Sequence, residues 1–263
     1  MSSTYLTTHL INCINTNTPV LFSKYGDGEY NCANFYTGSN CDLTSYTPKL
    51  GNDLISAFTH VSAVENSYIG LWHNIENVKF WEKFATKPIQ WANYHSILIS
   101  CEDMTPQNEN LSNKIALYKT IKESKLKKIV VCNLLLQKIQ PLLNIDDLVF
   151  VDINNWYESE FNNVINHINE LTKDNEHFIL LTCCGMAAKI LISELNKLHP
   201  KGIFLDCGSA FDFICTKRDS RGLYYTYEDL CNVMKELLPP DWENDKYNEI
   251  YNVARYRLGL HLR

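Results

Sequence analysis

Asp27 and Glu29 stand two residues apart on the glycine-flanked turn Lys24-Tyr25-Gly26-Asp27-Gly28-Glu29-Tyr30, directly after the apolar run Pro19-Val20-Leu21-Phe22. Two carboxylates so placed offer hard oxygen ligands to Mg²⁺ or Mn²⁺, ions that keep open positions for the phosphates of a substrate. Gly26 and Gly28 carry no Cβ, so a phosphate or sugar can approach the backbone closely. The apolar run reads as a buried strand, and open α/β sheets take their ligands at the carboxyl ends of strands. The chemistry this implies is metal-assisted transfer from a nucleotide-activated donor. Gly-Asp-Gly is also ordinary turn chemistry, and an acidic residue after a strand often only caps the next helix.

A second constellation is Leu180-Leu181-Thr182-Cys183-Cys184-Gly185-Met186-Ala187-Ala188-Lys189-Ile190-Leu191, an apolar strand turning at Gly185 into a helix. Free N–H groups at a helix amino terminus suit a phosphate. A single glycine is weaker than a dinucleotide fingerprint, and no phosphate-loop lysine is in place. Further on, Asp206 ends another strand beside the turn Gly208-Ser209, placed to bind a ribose or acceptor hydroxyl, to act as a general base, or to cap the following helix. His73, Trp156 and Tyr157 also lie at strand ends, where packing explains them as well as chemistry does. Cys101 has no basic neighbour to lower its pKa, so thiol catalysis is rejected.

The elements that position these groups alternate. Strands are expected at 19–25, 67–71, 96–100, 128–132, 148–151, 178–182 and 202–205. Helices are expected at 4–16, 48–64, 76–86, 109–123, 135–143, 159–173 and 185–198. The class is therefore α/β, a Rossmann-like, mostly parallel sheet with helices on both faces. Residues 31–47, with Tyr36, Asp42 and Tyr46, form a loop long enough to fold back over a ligand. We divide the chain into a domain at 1–222 and a helical extension at 223–263, with a helix at 227–238 and Arg255, Arg257 and Arg263 near its end. That extension either closes over a diphosphate or packs and forms a homodimer.

With 263 residues and 45% hydrophobic content, the chain can build a full core. A net charge of −6 argues against a protein whose main task is neutralising nucleic acid. No apolar stretch reaches membrane-spanning length and the first residues carry no secretory pattern, so we expect a soluble, cytoplasmic protein. Its ten cysteines are spread through apolar segments without a CxxC pair, which reads as reduced core residues and not as zinc ligands.

Lys24-Tyr25-Gly26-Asp27-Gly28-Glu29 resembles the (Arg/Lys)-aromatic-Gly-Asp-Gly-Glu signature of the bacterial glycosyltransferases with the GT-D fold. The resemblance continues through Asn40-Cys41-Asp42 with Tyr46 and Leu50, then Gly185-x-x-Ala188-x-x-Leu191 and Asp206-x-Gly208, over residues 19–215. It implies a nucleotide-sugar donor, a UDP-sugar favoured, and a glycan or glycoprotein acceptor. It also implies a metal held by Asp27 and Glu29, with Lys24, Tyr25, Gly26, Gly28, Asp42, Gly185, Ala188, Gly208 and Ser209 around the donor. Lys24 departs from the common arginine, which weakens bidentate phosphate recognition, and Gly185-Met186-Ala187-Ala188 lacks the threonine hydroxyl of the usual Gly-Pro-Thr-Ala. If the anomeric centre inverts, Asp206, Asp42 or Asp212 is the base. A nucleotide-sugar hydrolase or phosphoryl-transfer enzyme would use the same groups, and a non-catalytic nucleotide-binding module is a third reading.

Overall fold

The computed structural model describes residues 3–71, 74–100, 102–104, 109–218 and 226–243. In chain order the first half runs α1 (Ser3–Thr16), β1 (Val20–Tyr25), α2 (Asp27–Ala33), α3 (Pro48–Ala63), β2 (Ser67–Leu71), α4 (Ile75–Glu82), β3 (Trp91–Asn93) and α5 (Glu109–Glu123). The second half runs β4 (Lys127–Cys132), α6 (Ile139–Leu143), β5 (Asp147–Phe150), α7 (Trp156–Ser159), α8 (Phe161–Thr172), β6 (Phe178–Cys183), α9 (Ala188–Leu198), β7 (Ile203–Asp206), α10 (Asp212–Thr216) and α11 (Tyr227–Met234).

The strands form one seven-stranded parallel sheet in the order β3-β2-β1-β7-β6-β4-β5. Because the pairing is parallel throughout, every carboxyl end lies on one edge. That edge brings together Tyr25, Asp206 and Cys183 from the adjacent strands β1, β7 and β6, residues far apart in sequence.

Alternation along each strand feeds two cores, one per face. Val20 and Phe22 pack with Leu6 and Leu10 of α1 and Leu117 and Ile121 of α5. Leu21 and Tyr25 pack on the other face with Leu54 and Phe58 of α3 and Leu191 and Leu195 of α9. Helix α3 starts where Thr47 caps it by accepting the Leu50 N–H at 3.1 Å, with Pro48 in the first turn. Its Leu50, Leu54, Phe58 and Val61 then fall on one inward stripe. Helix α9 is buried almost all round, enclosed between the sheet and α3. Leu191→Ala in this helix is expected to cost about 2–5 kcal/mol of stability in chemical denaturation, the range for truncating a fully buried leucine.

One expected strand is displaced. The edge strand is Trp91–Asn93, and residues 96–100 are buried without joining the ladder. Asn93 ends β3 by accepting the His95 N–H on its side chain and the Ser96 N–H on its carbonyl, turning the chain off the sheet. Side chains then satisfy the run. Tyr118 Oη donates to the Ile97 carbonyl at 2.5 Å, Lys114 Nζ donates to the Leu98 carbonyl at 2.7 Å, and Asp103 accepts from the Ser100 N–H at 2.7 Å. Lys114 and Asp103 themselves form a buried ion pair at 2.8 Å.

Within the C-terminal extension, the described residues 226–243 pack on the first core through Leu230, Met234, Leu237 and Trp242. Trp242 donates its indole N–H to Tyr227 Oη at 3.1 Å. Arg255, Arg257 and Arg263 lie outside the described residues. Nine cysteines among the described residues are free, and seven of these are buried, as reduced core residues should be. No helix among the described residues is long and apolar enough to cross a membrane.

Candidate functional site

The acidic turn is the first turn of α2, which corrects the reading of its two acids as a chelating pair. In a helix, residues i and i+2 do not face each other. Asp27 accordingly points to solvent while Glu29 turns inward and is 5% exposed. Glu29 Oε2 accepts the Gly26 N–H at 2.8 Å, the side-chain-to-backbone half of a capping box. Its Oε1 pairs with Lys189 Nζ at 2.8 Å.

Lys189, one residue inside α9, is the group around which the site is built, and nothing in the sequence reading singled it out. Its ammonium also pairs with Asp206 Oδ2 at 3.0 Å, and that same oxygen accepts the Lys24 N–H at 3.0 Å. Asp206 is 1% exposed and its Oδ1, also buried, has no hydrogen-bond partner among the described residues. Burial alone would raise the Glu29 pKa, but Lys189 and the Gly26 N–H outweigh it and hold the carboxyl below its usual range. Burial likewise disfavours charge on Lys189, yet Asp206 and Glu29 push its pKa well above normal. Lys24 is buried beside this cluster, with Nζ donating to the Cys207 carbonyl at 3.3 Å and lying 4.4 Å from the centre of the Tyr94 ring.

These partners decide what Glu29 can bind. A divalent ion on Glu29 would stand within a few ångström of the Lys189 ammonium. Such an ion would have to displace that ammonium, because one Glu29 oxygen is held by Lys189 Nζ and the other by the Gly26 N–H. The residues present therefore do not fit a cation held by the Asp27–Glu29 pair. Asp27 alone keeps an exposed carboxylate, and the described residues contain no group of three or more His, Cys, Asp or Glu that could hold a metal.

The glycines record how closely the surrounding segments approach. A Cβ at Gly28 would lie 2.5 Å from Asn40 Oδ1. One at Gly185, where φ is +75°, would lie 2.7 Å from Asp42 Oδ2, and one at Gly208, where φ is +54°, would lie 2.7 Å from Lys24 Nζ. Asn40 and Asp42 belong to a tight hairpin closed by the Ser39–Ser45 bridge and by backbone bonds from Asn40 to Thr44 and from Tyr46 to Gly38. Asp42 Oδ1 accepts the Thr44 N–H at 3.0 Å, and Thr44 Oγ1 donates to the Ile153 carbonyl at 3.3 Å. Within the loop at 31–47, this hairpin spans from α2 to the chain after β5. Its carboxylate at Gly185 stands where a phosphate was expected at the start of α9.

The structure thus brings Lys24, Gly26, Gly28, Glu29, Asp42, Gly185, Gly208 and Asp206 together at the carboxyl edge. Asp27 faces outward, and Tyr25 points into the second core, stacked edge-on against Phe58 and Trp81. Ala188 is buried in the same core, while Ser209 and Asp212 are partly exposed beyond Gly208. Tyr94, which lies over Gly26 and Lys24, was not anticipated. Trp156 and Tyr157 are packing residues: the indole donates to the Cys184 carbonyl at 3.1 Å and the phenol engages Lys49 and Asp53. Trp72, His73 and Cys101 lie outside the described residues.

A parallel α/β sheet with its polar groups gathered on the carboxyl edge defines a Rossmann-like fold. Among solved structures it is similar to a glycosyltransferase described as the domain of unknown function 1792 from Streptococcus sanguinis, with a TM-score of 0.56 and 17% identity over 79% of this chain and 82% of that one. Two further structures of the domain of unknown function 1792, one of them described as having a distinct glycosyltransferase fold, match with a TM-score of 0.53 and 15% identity over 79% of each chain. The fold is that of these proteins. No family model matches the sequence, and no curated protein does.

Proposed function

We propose that this chain is a glycosyltransferase that moves a sugar from a nucleotide-activated donor, a UDP-sugar by preference, to a glycan or glycoprotein acceptor in the cytoplasm. The observation that carries this is the convergence, on one sheet edge, of the Gly26–Glu29 turn, Gly185 and the Asp206–Gly208 turn, in a fold shared with proteins described as glycosyltransferases. Glu29 and Asp206 serve as fixed anchors, locked by Lys189 and by backbone N–H groups.

Asp27 meets the donor. A divalent cation, Mn²⁺ or Mg²⁺, enters this reading through Asp27, and when bound it would supply positive charge to the donor's diphosphate. Asp42 is better placed than Asp206 to take a proton from an acceptor hydroxyl, because it is partly exposed while Asp206 is sealed. The hairpin at 38–46 keeps water from the reacting centre.

The test is a thermal-shift screen of UDP-, GDP- and TDP-sugars with and without Mn²⁺, on the native chain and on Asp27→Asn. A donor-specific, cation-dependent shift that Asp27→Asn abolishes is the expected result. A shift unchanged in that variant, or release of free sugar at the same rate without any acceptor, would count against the reading.

A further inference from the structure

The geometry points to Lys189 as a built-in cation of this site, a positioning residue that holds Glu29 and Asp206 where a metal ion would otherwise hold them, so that Glu29 is not a metal ligand in this chain. Three observations carry it. Both oxygens of Glu29 are already engaged, Oε1 by Lys189 Nζ at 2.8 Å and Oε2 by the Gly26 N–H at 2.8 Å. The same ammonium reaches Asp206 Oδ2 at 3.0 Å, so a single charge from α9 ties the helix after β1 to the end of β7. The second oxygen of Asp206 is buried with no hydrogen-bond partner among the described residues, so the contacts of this carboxylate run through the first oxygen, beside which the Lys189 ammonium lies.

The charges around this ammonium are Glu29 from α2, Asp206 from β7 and Lys24 from β1, whose own Nζ is turned toward Cys207 and Tyr94. Two cations and two anions sum to zero within the cluster. Without Lys189, two buried carboxylates would share one remaining lysine, and such a pair is the kind of site that recruits a cation. Lys189 thus keeps the inner acids occupied and leaves Asp27 as the outward one. The inference deepens the transferase reading by saying how that site holds its acids, and its test uses no donor, so either can fail without the other.

Mn²⁺ alone is titrated, with free Mn²⁺ followed by electron paramagnetic resonance, into the native chain, Glu29→Gln, Lys189→Met and the double variant, each first shown folded by circular dichroism. Glu29→Gln is expected to bind Mn²⁺ within about twofold of the native affinity. Lys189→Met is expected to bind about tenfold more tightly than the native chain, with that gain removed when Glu29→Gln is added. A tightening of this kind is not what the loss of a merely structural contact would produce. A fall of about tenfold or more in Glu29→Gln, or a folded Lys189→Met with no gain, overturns the inference. Should Lys189→Met fail to fold, the Glu29→Gln comparison decides alone.

Discussion

Lys189→Met is expected to lower the free energy of unfolding by about 3–5 kcal/mol near neutral pH, the usual penalty for leaving a buried charge without its partner. Methionine fills a similar volume, so the loss isolates the ammonium and not a cavity. The pH dependence gives the prediction its sign. In the native chain the Glu29 pKa is held below normal, so its contribution is present above the unfolded value of about 4.3 and is lost as pH falls through the folded value. Lys189 is raised, so its contribution is present below about 10.4 and is lost as pH rises through the folded value. In the variant, burial without the ammonium raises Glu29, and the slope inverts: protonation now relieves the strain. Urea denaturation of the two chains between pH 4 and 8 should therefore show the largest gap at the neutral end, narrowing toward acid. A gap that is constant with pH would mean that packing, not charge, was lost.

Gly28→Ala should separate activity from stability. Gly28 sits in the first turn of α2 with helical backbone, where alanine gains up to about 1 kcal/mol in helix propensity. Its new methyl group would meet Asn40 Oδ1 at 2.5 Å and Cγ at 2.9 Å, closer than a Cβ can come. The obstacle is a side chain on the 38–46 hairpin and not backbone of the core, so the hairpin moves and the fold does not. Sugar transfer is expected to fall about tenfold or more, since a displacement of about 1 Å at a reacting centre can cost a hundredfold. The melting temperature should stay within a few degrees of native. A variant that melts early in step with its loss of transfer would place Gly28 in the fold's support and not in the seating of the hairpin.

Most of the scaffold was legible because parallel strands buried on both faces read as continuous apolar runs. Phe178-Ile179-Leu180-Leu181 and Ile203-Phe204-Leu205 could hardly be anything else. The edge strand was not legible. Trp91–Asn93 is three residues long, and the apolar Ile97-Leu98-Ile99 nearby looks more like a strand than the strand does. Side chains of α5 and the turn at Asp103, supplied from later in the chain, let that run stay buried off the ladder.

Around the carboxyl edge, the glycines and Asp206 lie where their place after strands predicts, whereas Asp27 and Glu29 diverge because of a local detail. The turn is helical, and helical geometry sends alternate side chains apart. Lys189 was missed because a lysine in a helix is ordinarily solvated. One signal was present: Lys189, Ser193 and Asn196 form a polar row at helical spacing, and all three are buried. That row acquires meaning only when α9 is known to be enclosed between the sheet and α3.

The chain from Ser96 to Ser100 is tied down by a few side-chain bonds in place of a cooperative ladder, and it follows directly from Tyr94, the ring above Lys24. The mouth of the site consequently has two unlike jaws. On one side β1, β7 and β6 are joined by continuous strand pairing at the centre of the sheet. On the other, the run from Ser96 to Ser100 is seated in the first core through Ile97 and Ile99 and fastened by Lys114, Tyr118 and Asp103, so the jaw that carries Tyr94 is held by packing and side-chain bonds where its opposite is held by strand pairing.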